Sequence, residues 1–106
     1  MSVTLRAVTV IAALVYFFAA AAHAGLIAVT GAIGAAAIVE AVLGLVLVAA
    51  AIGRLSPRLA YPVALVGTVF GLAIVLLRGL GGFDVAIHFV MLAILAVGFG
   101  LLFARS

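Results

Sequence analysis

Two histidines and one glutamate, His23, His88 and Glu40, stand in stretches that are otherwise apolar. An imidazole can ligate a metal or a haem iron, or exchange a proton near neutral pH. A carboxylate withdrawn from water must be protonated, paired or put to use. His23 lies 17 residues after Arg6, and His88 lies 17 residues before Arg105. At 1.5 Å per helical residue, both histidines are about 25 Å from the arginine on their own segment. Glu40, 14 residues before Arg54, falls about one turn lower on that scale. Arg78 and Asp84 stand above them.

This set suits two kinds of ligand. His23 and His88 can ligate a haem b axially, with Arg78 meeting its propionates. The small residues Ala19–Ala22, Ala36, Ala37, Ala41 and Gly44 would leave room beside them. Alternatively, His23, Glu40 and His88 form a two-histidine, one-carboxylate set for a transition metal. Asp84 follows Gly81-Gly82-Phe83, so it also reads as an N-cap. His88 stands one turn from Asp84 and can bond it.

Such residues are unusual here because the rest of the chain belongs in lipid. The 106 residues are 72% hydrophobic and 7% charged, with a mean hydropathy of +1.72. A water-facing surface needs about 25% charged residues. The basic pI comes from five arginines without a basic cluster, which gives no nucleic-acid surface. Without cysteine, disulfides, thiolate metal sites and cysteine catalysis are excluded.

Three breaks divide the apolar sequence: Thr30-Gly31, Gly53–Arg58 and Arg78–Gly82. A span needs about 20 apolar residues, so four are predicted, near 5–29, 32–52, 59–77 and 83–104. Pro62 lies in the first turn of the third, where a missing N–H is tolerated. Short connections predict a single all-α domain over 1–106, an integral membrane up-down four-helix bundle. With the N-terminus inside, Arg6, Arg54, Arg58 and Arg105 are cytoplasmic and only Arg78 is outside. This satisfies the positive-inside rule. The expectation is a multi-pass protein of the cytoplasmic membrane with both termini cytoplasmic. Ala22-His23-Ala24 resembles a signal-peptidase site. Cleavage there would leave three spans and discard Arg6, so no cleaved signal peptide is expected.

Polar residues recur at bundle spacing. Thr9, Tyr16, His23 and Thr30 are seven apart, interleaved with Ala12, Ala19 and Leu26. The third span has Tyr61, Ala64, Thr68, Gly71, Val75 and Arg78; the fourth has Asp84, His88, Met91, Leu95, Gly98, Leu102 and Arg105. Glu40 shares its face with Ile33, Ala37, Gly44 and Leu47. Spacings of three and four mark an interior seam, and lipid offers polar groups no partner. The hydroxyls of Thr9, Tyr16, Tyr61 and Thr68 read as interhelical glue, and Gly67-x-x-x-Gly71 as a close approach within the bundle or between copies. The predicted polar cluster therefore comprises His23, Glu40, His88, Arg78, Asp84, Tyr16 and Thr68, in the outer half of the bundle.

No nucleotide loop, zinc-protease motif or nucleophile elbow is present, and no catalytic residue is assigned. Three functions fit. The first is a haem- or metal-binding subunit for membrane electron transfer. The second is a proton-coupled transporter acting as a homodimer. The third is an accessory subunit packed laterally against other membrane proteins.

Overall fold

The computed structural model describes residues 1–28 and 31–104. Among these, the chain forms four helices: α1 (Val3–His23), α2 (Gly34–Ala51), α3 (Pro57–Arg78) and α4 (Gly82–Phe103). All four are long and apolar enough to cross a membrane. Their starts follow from local chemistry. Ser2 caps α1 by accepting the Leu5 N–H at 3.1 Å. Ser56 caps α3 from the Arg58 N–H, with Pro57 placed where a helix needs no N–H.

The helices close into a square. α1 packs on α2 and α4, and α3 on the same two, while the diagonal pairs make no backbone contact. This is the up-down bundle that short connections require. The predicted seams lie inside it: Thr9, Ala12, Tyr16, Ala19, His23, Tyr61, Ala64, Thr68, Asp84, His88, Met91 and Leu95 are all buried. The outer surface is apolar, with Leu14, Leu45, Val66, Leu77 and Val97 exposed. A membrane protein presents such a surface to lipid.

The first span departs from its predicted limits. α1 ends at His23, six residues before the predicted boundary at 29. Gly25, at φ 85°, turns the chain into the left-handed region. The Gly25 N–H then bonds Ala22 O at 3.1 Å, and the Leu26 N–H bonds Ala21 O at 2.9 Å. That pair of bonds is the Schellman cap, which ends a helix at glycine even where the following residues are apolar. The Ile33 N–H bonds the His23 carbonyl at 2.8 Å, fixing the start of α2 beside the end of α1. Leu26 consequently lies exposed in the connection rather than on the seam. Thr30 and Arg105, both assigned to seams, lie outside the described residues. Gly25→Ala is expected to cost about 1–2 kcal/mol, the strain of placing a Cβ at left-handed φ, measurable by reversible unfolding in mixed detergent micelles.

The Gly67-x-x-x-Gly71 pair also acts differently from a backbone contact. A Cβ on Gly67 would lie 2.8 Å from Leu43 of α2, and one on Gly71 would lie 2.7 Å from His88 Nε2 of α4. Each glycine receives a side chain from within the same bundle.

Candidate functional site

Three polar layers cross the bundle. In the first, Thr9 and Tyr61 share a hydrogen bond of 2.8 Å; in the second, Tyr16 bonds Thr68. Each threonine hydroxyl also donates to the carbonyl four residues earlier, Leu5 or Ala64, at 2.7 Å. A hydroxyl has one proton. In each pair the tyrosine must therefore donate, and the chain of bonds ends on a backbone carbonyl. These layers join α1 to α3 across the diagonal, with the residue types exchanged between levels. They are fasteners, not proton relays. Tyr16→Phe is expected to cost about 0.6 kcal/mol, the usual worth of an interhelical hydroxyl bond in a membrane, by the same unfolding measurement.

The third layer is ionisable. His23 Nδ1 lies 2.6 Å from Glu40 Oε1, and His23 Nε2 bonds Asp84 Oδ1. One imidazole on α1 thus joins carboxylates of α2 and α4. All three residues are buried. Side chains lean toward the N-terminus of their own helix. On α1 that direction points away from the loop end, whereas on the antiparallel α2 and α4 it points toward it. His23 leans down, Glu40 and Asp84 lean up, and the three meet. The ring of Phe83 lies edge-on to His23, with centroids 6.3 Å apart, covering the layer with an apolar face.

Asp84 is not the N-cap of α4. That position is Gly81, and Asp84 is three residues into the helix. There a carboxylate is favoured by the positive end of the helix dipole while its oxygen reaches His23.

The structure does not bring His23 and His88 together. His88 leans back along α4, and its Nδ1 donates to the Asp84 carbonyl at 2.6 Å. Cα heights matched, but the side chain follows its own helix instead of crossing the bundle. With Nδ1 committed as a donor, the neutral ring leaves Nε2 as a bare acceptor. That atom lies over Gly71, where any side chain would collide with it.

Beside this layer is a cavity of about 280 Å³. Tyr16, His23, Glu40, Thr68, Asp84 and His88 contribute to its wall, and Met91 and Val75 are among the apolar residues there. Arg78 also lines it but is itself exposed. No ion pair joins Arg78 to Asp84 among the described residues. Val39 of α2 with Phe70 and Ile74 of α3 line the cavity and are exposed on the outer surface. The cavity therefore reaches the lipid face between α2 and α3. Sequence periodicity missed these residues, because they sit between the seam and the lipid face.

One atom in this region stands out. Glu40 Oε2 is buried without a hydrogen-bond partner. The two contacts of His23 each require one proton, shared between a ring nitrogen and a carboxylate oxygen. With two protons, the Glu40–His23–Asp84 layer has a net charge of −1. A third proton on Glu40 Oε2, or a cation beside it, makes the layer neutral. Burying an unbalanced charge costs several kcal/mol, and Glu40 Oε2 is the buried oxygen left without a partner to take either.

Compared with protein-family models, curated proteins and solved structures, the chain has no match.

The geometry gives the haem and metal readings no support. His23 uses both nitrogens on carboxylates, and axial ligation would require it to release Asp84. Small-molecule pockets run from about 300 to 1,000 Å³, and at about 280 Å³ this cavity is at the lower limit. Among the described residues, no group of three or more histidine or carboxylate side chains is placed to hold a metal ion.

Proposed function

We propose that this four-span membrane protein is a small proton-coupled transporter, with the Glu40–His23–Asp84 layer as its proton-exchanging element. The unpartnered Glu40 Oε2 beside a cavity open to lipid is the observation that supports this reading. A bundle held only by packing gains nothing from an orphan carboxylate oxygen, since leaving such an atom buried and unpaired costs about 1–3 kcal/mol or more. A site that exchanges a proton for a ligand needs that atom.

The titratable and charged groups that face this site come from every helix. His23 and Tyr16 face the cavity from α1, Glu40 from α2, Arg78 from α3, and Asp84 and His88 from α4. Glu40 lies within electrostatic reach of His23, His88 and Asp84. With the termini cytoplasmic, the site faces the outer side of the cytoplasmic membrane. The Tyr16–Thr68 and Thr9–Tyr61 layers close the inner half, and transport requires these to part or a second copy to complete the path.

The test is reconstitution in vesicles containing a pH-sensitive dye. An imposed pH gradient should dissipate faster when the vesicles are given one member of a panel of small aromatic amines, acids and neutral analogues. Glu40→Gln should abolish the stimulated component, while Tyr16→Phe should retain it. Equal stimulation by the Glu40→Gln protein, or none with any panel member, would rule this mechanism out.

A further inference from the structure

We infer that the cavity binds a small organic cation with at least two N–H donors and an apolar body: a protonated primary or secondary amine. The inference rests on the proposed proton exchange and names the ligand that would take part in it. Two acceptors from cavity-lining residues define the recognition. Glu40 Oε2 has no partner, and Glu40 is 5% exposed. His88 has its Nδ1 fixed as a donor to Asp84 O, which leaves Nε2 to accept. Gly71 makes room for the His88 ring and so sets its position, since a Cβ there would lie 2.7 Å from Nε2. An ammonium group between these acceptors donates one N–H to each.

Charge gives the same answer. When Glu40 Oε2 is deprotonated, the layer holds −1, and a monocation restores neutrality as a proton does. Binding then exchanges one for one: the ammonium arrives, and the Oε2 proton leaves to the aqueous phase at the loop end. The body of the ligand meets Val75, Met91 and Leu43, all apolar cavity residues. Access runs from the bilayer past Phe70 and Ile74, the exposed pair on α3. Arg78, the one arginine lining the cavity among the described residues, is exposed at the end of α3, where its charge is hydrated and screened. It opposes a cationic ligand only weakly, and it is the group with which an anionic ligand would have to pair, which makes it the discriminating residue.

The experiment is calorimetric titration of the full chain in lipid nanodiscs with phenethylammonium, 3-phenylpropionate and propylbenzene. Phenethylammonium is expected to bind with release of one proton, read from the heats in two buffers of different ionisation enthalpy. Glu40→Gln should weaken it at least tenfold, and Gly71→Ala several-fold by displacing the His88 ring. Arg78→Gln should leave the affinity unchanged or tighten it. Helix content and elution volume check that each variant is folded, and Glu40→Asp should keep proton release at reduced affinity. Tight binding of phenylpropionate that is lost in Arg78→Gln would overturn the inference, as would equal amine binding by Glu40→Gln or no amine binding. Amine binding with proton release but no vesicle transport would refute the transport function and leave the ligand class standing. Proton flux stimulated only by acids or neutral analogues would do the reverse.

Discussion

Replacing His23 with leucine is expected to destabilise the bundle by about 3–5 kcal/mol, the cost of removing one partner from a buried ionic set. His23 is the central member, and its loss removes a partner from two carboxylates at once. Glu40 and Asp84 are both buried, and Glu40 already has one oxygen without a partner. The leucine cannot bond either acid, and lipid supplies no replacement. The companion result has the opposite sign. Replacing His23, Glu40 and Asp84 together with leucine should return stability to within about 1 kcal/mol of the parent or above it, because apolar replacement of a whole buried ionic set is often neutral or stabilising. Unfolding by sodium dodecyl sulfate in mixed micelles, followed by circular dichroism, measures both. A single His23→Leu cost below 1 kcal/mol would mean that the layer is hydrated, contrary to its burial here. A triple variant as weak as the single one would mean that the layer is needed for folding, in addition to any exchange.

Such a layer, stabilising only as a set, explains what was legible in the sequence and what was not. Period and hydropathy located all four spans, because the lipid-facing and seam residues differ in kind at every turn. The seven-residue recurrence of Thr9, Tyr16 and His23 placed them on one buried stripe, and they are buried. Hydrophobicity could not place the end of α1, since Leu26 and Ile27 continue the apolar run beyond His23. There the Schellman bonds at Gly25 decide, and they depend on backbone conformation. Pairing within the site escaped for a related reason. Counting residues from the arginines gives Cα heights, which match for His23 and His88. Side-chain lean then sends His88 back to the Asp84 carbonyl and brings Glu40 and Asp84 to His23. Two histidines in an apolar chain invite a haem, but their side chains turn to carboxylates and a backbone carbonyl instead of to each other.

Direction also governs the second large effect, in the opposite half of the bundle. Gly98→Ala is expected to cost about 1–3 kcal/mol, the range for overpacking a close-packed core. An added Cβ would run into the Tyr61 ring at Cε1, Cζ and the hydroxyl oxygen. The ring is fully buried and has little freedom to retreat. Its hydroxyl donates to Thr9 at 2.8 Å, Thr9 is held to Leu5 O, and the ring edge rests on Phe99 at a centroid distance of 5.5 Å. Either the α3–α4 spacing widens or the Tyr61–Thr9 bond breaks. The bond alone is worth about 0.6 kcal/mol, so Tyr61→Phe should cost much less than Gly98→Ala. That ranking separates steric fit from hydrogen bonding as the reason for glycine at 98. A double-mutant cycle with Tyr61→Leu completes the argument. The shorter side chain removes the ring that the new methyl strikes, so the penalty of Gly98→Ala should fall by at least about 0.5 kcal/mol, the lower limit of coupling between contacting residues. Equal penalties in the two backgrounds would place the strain in the α4 backbone and not at Tyr61.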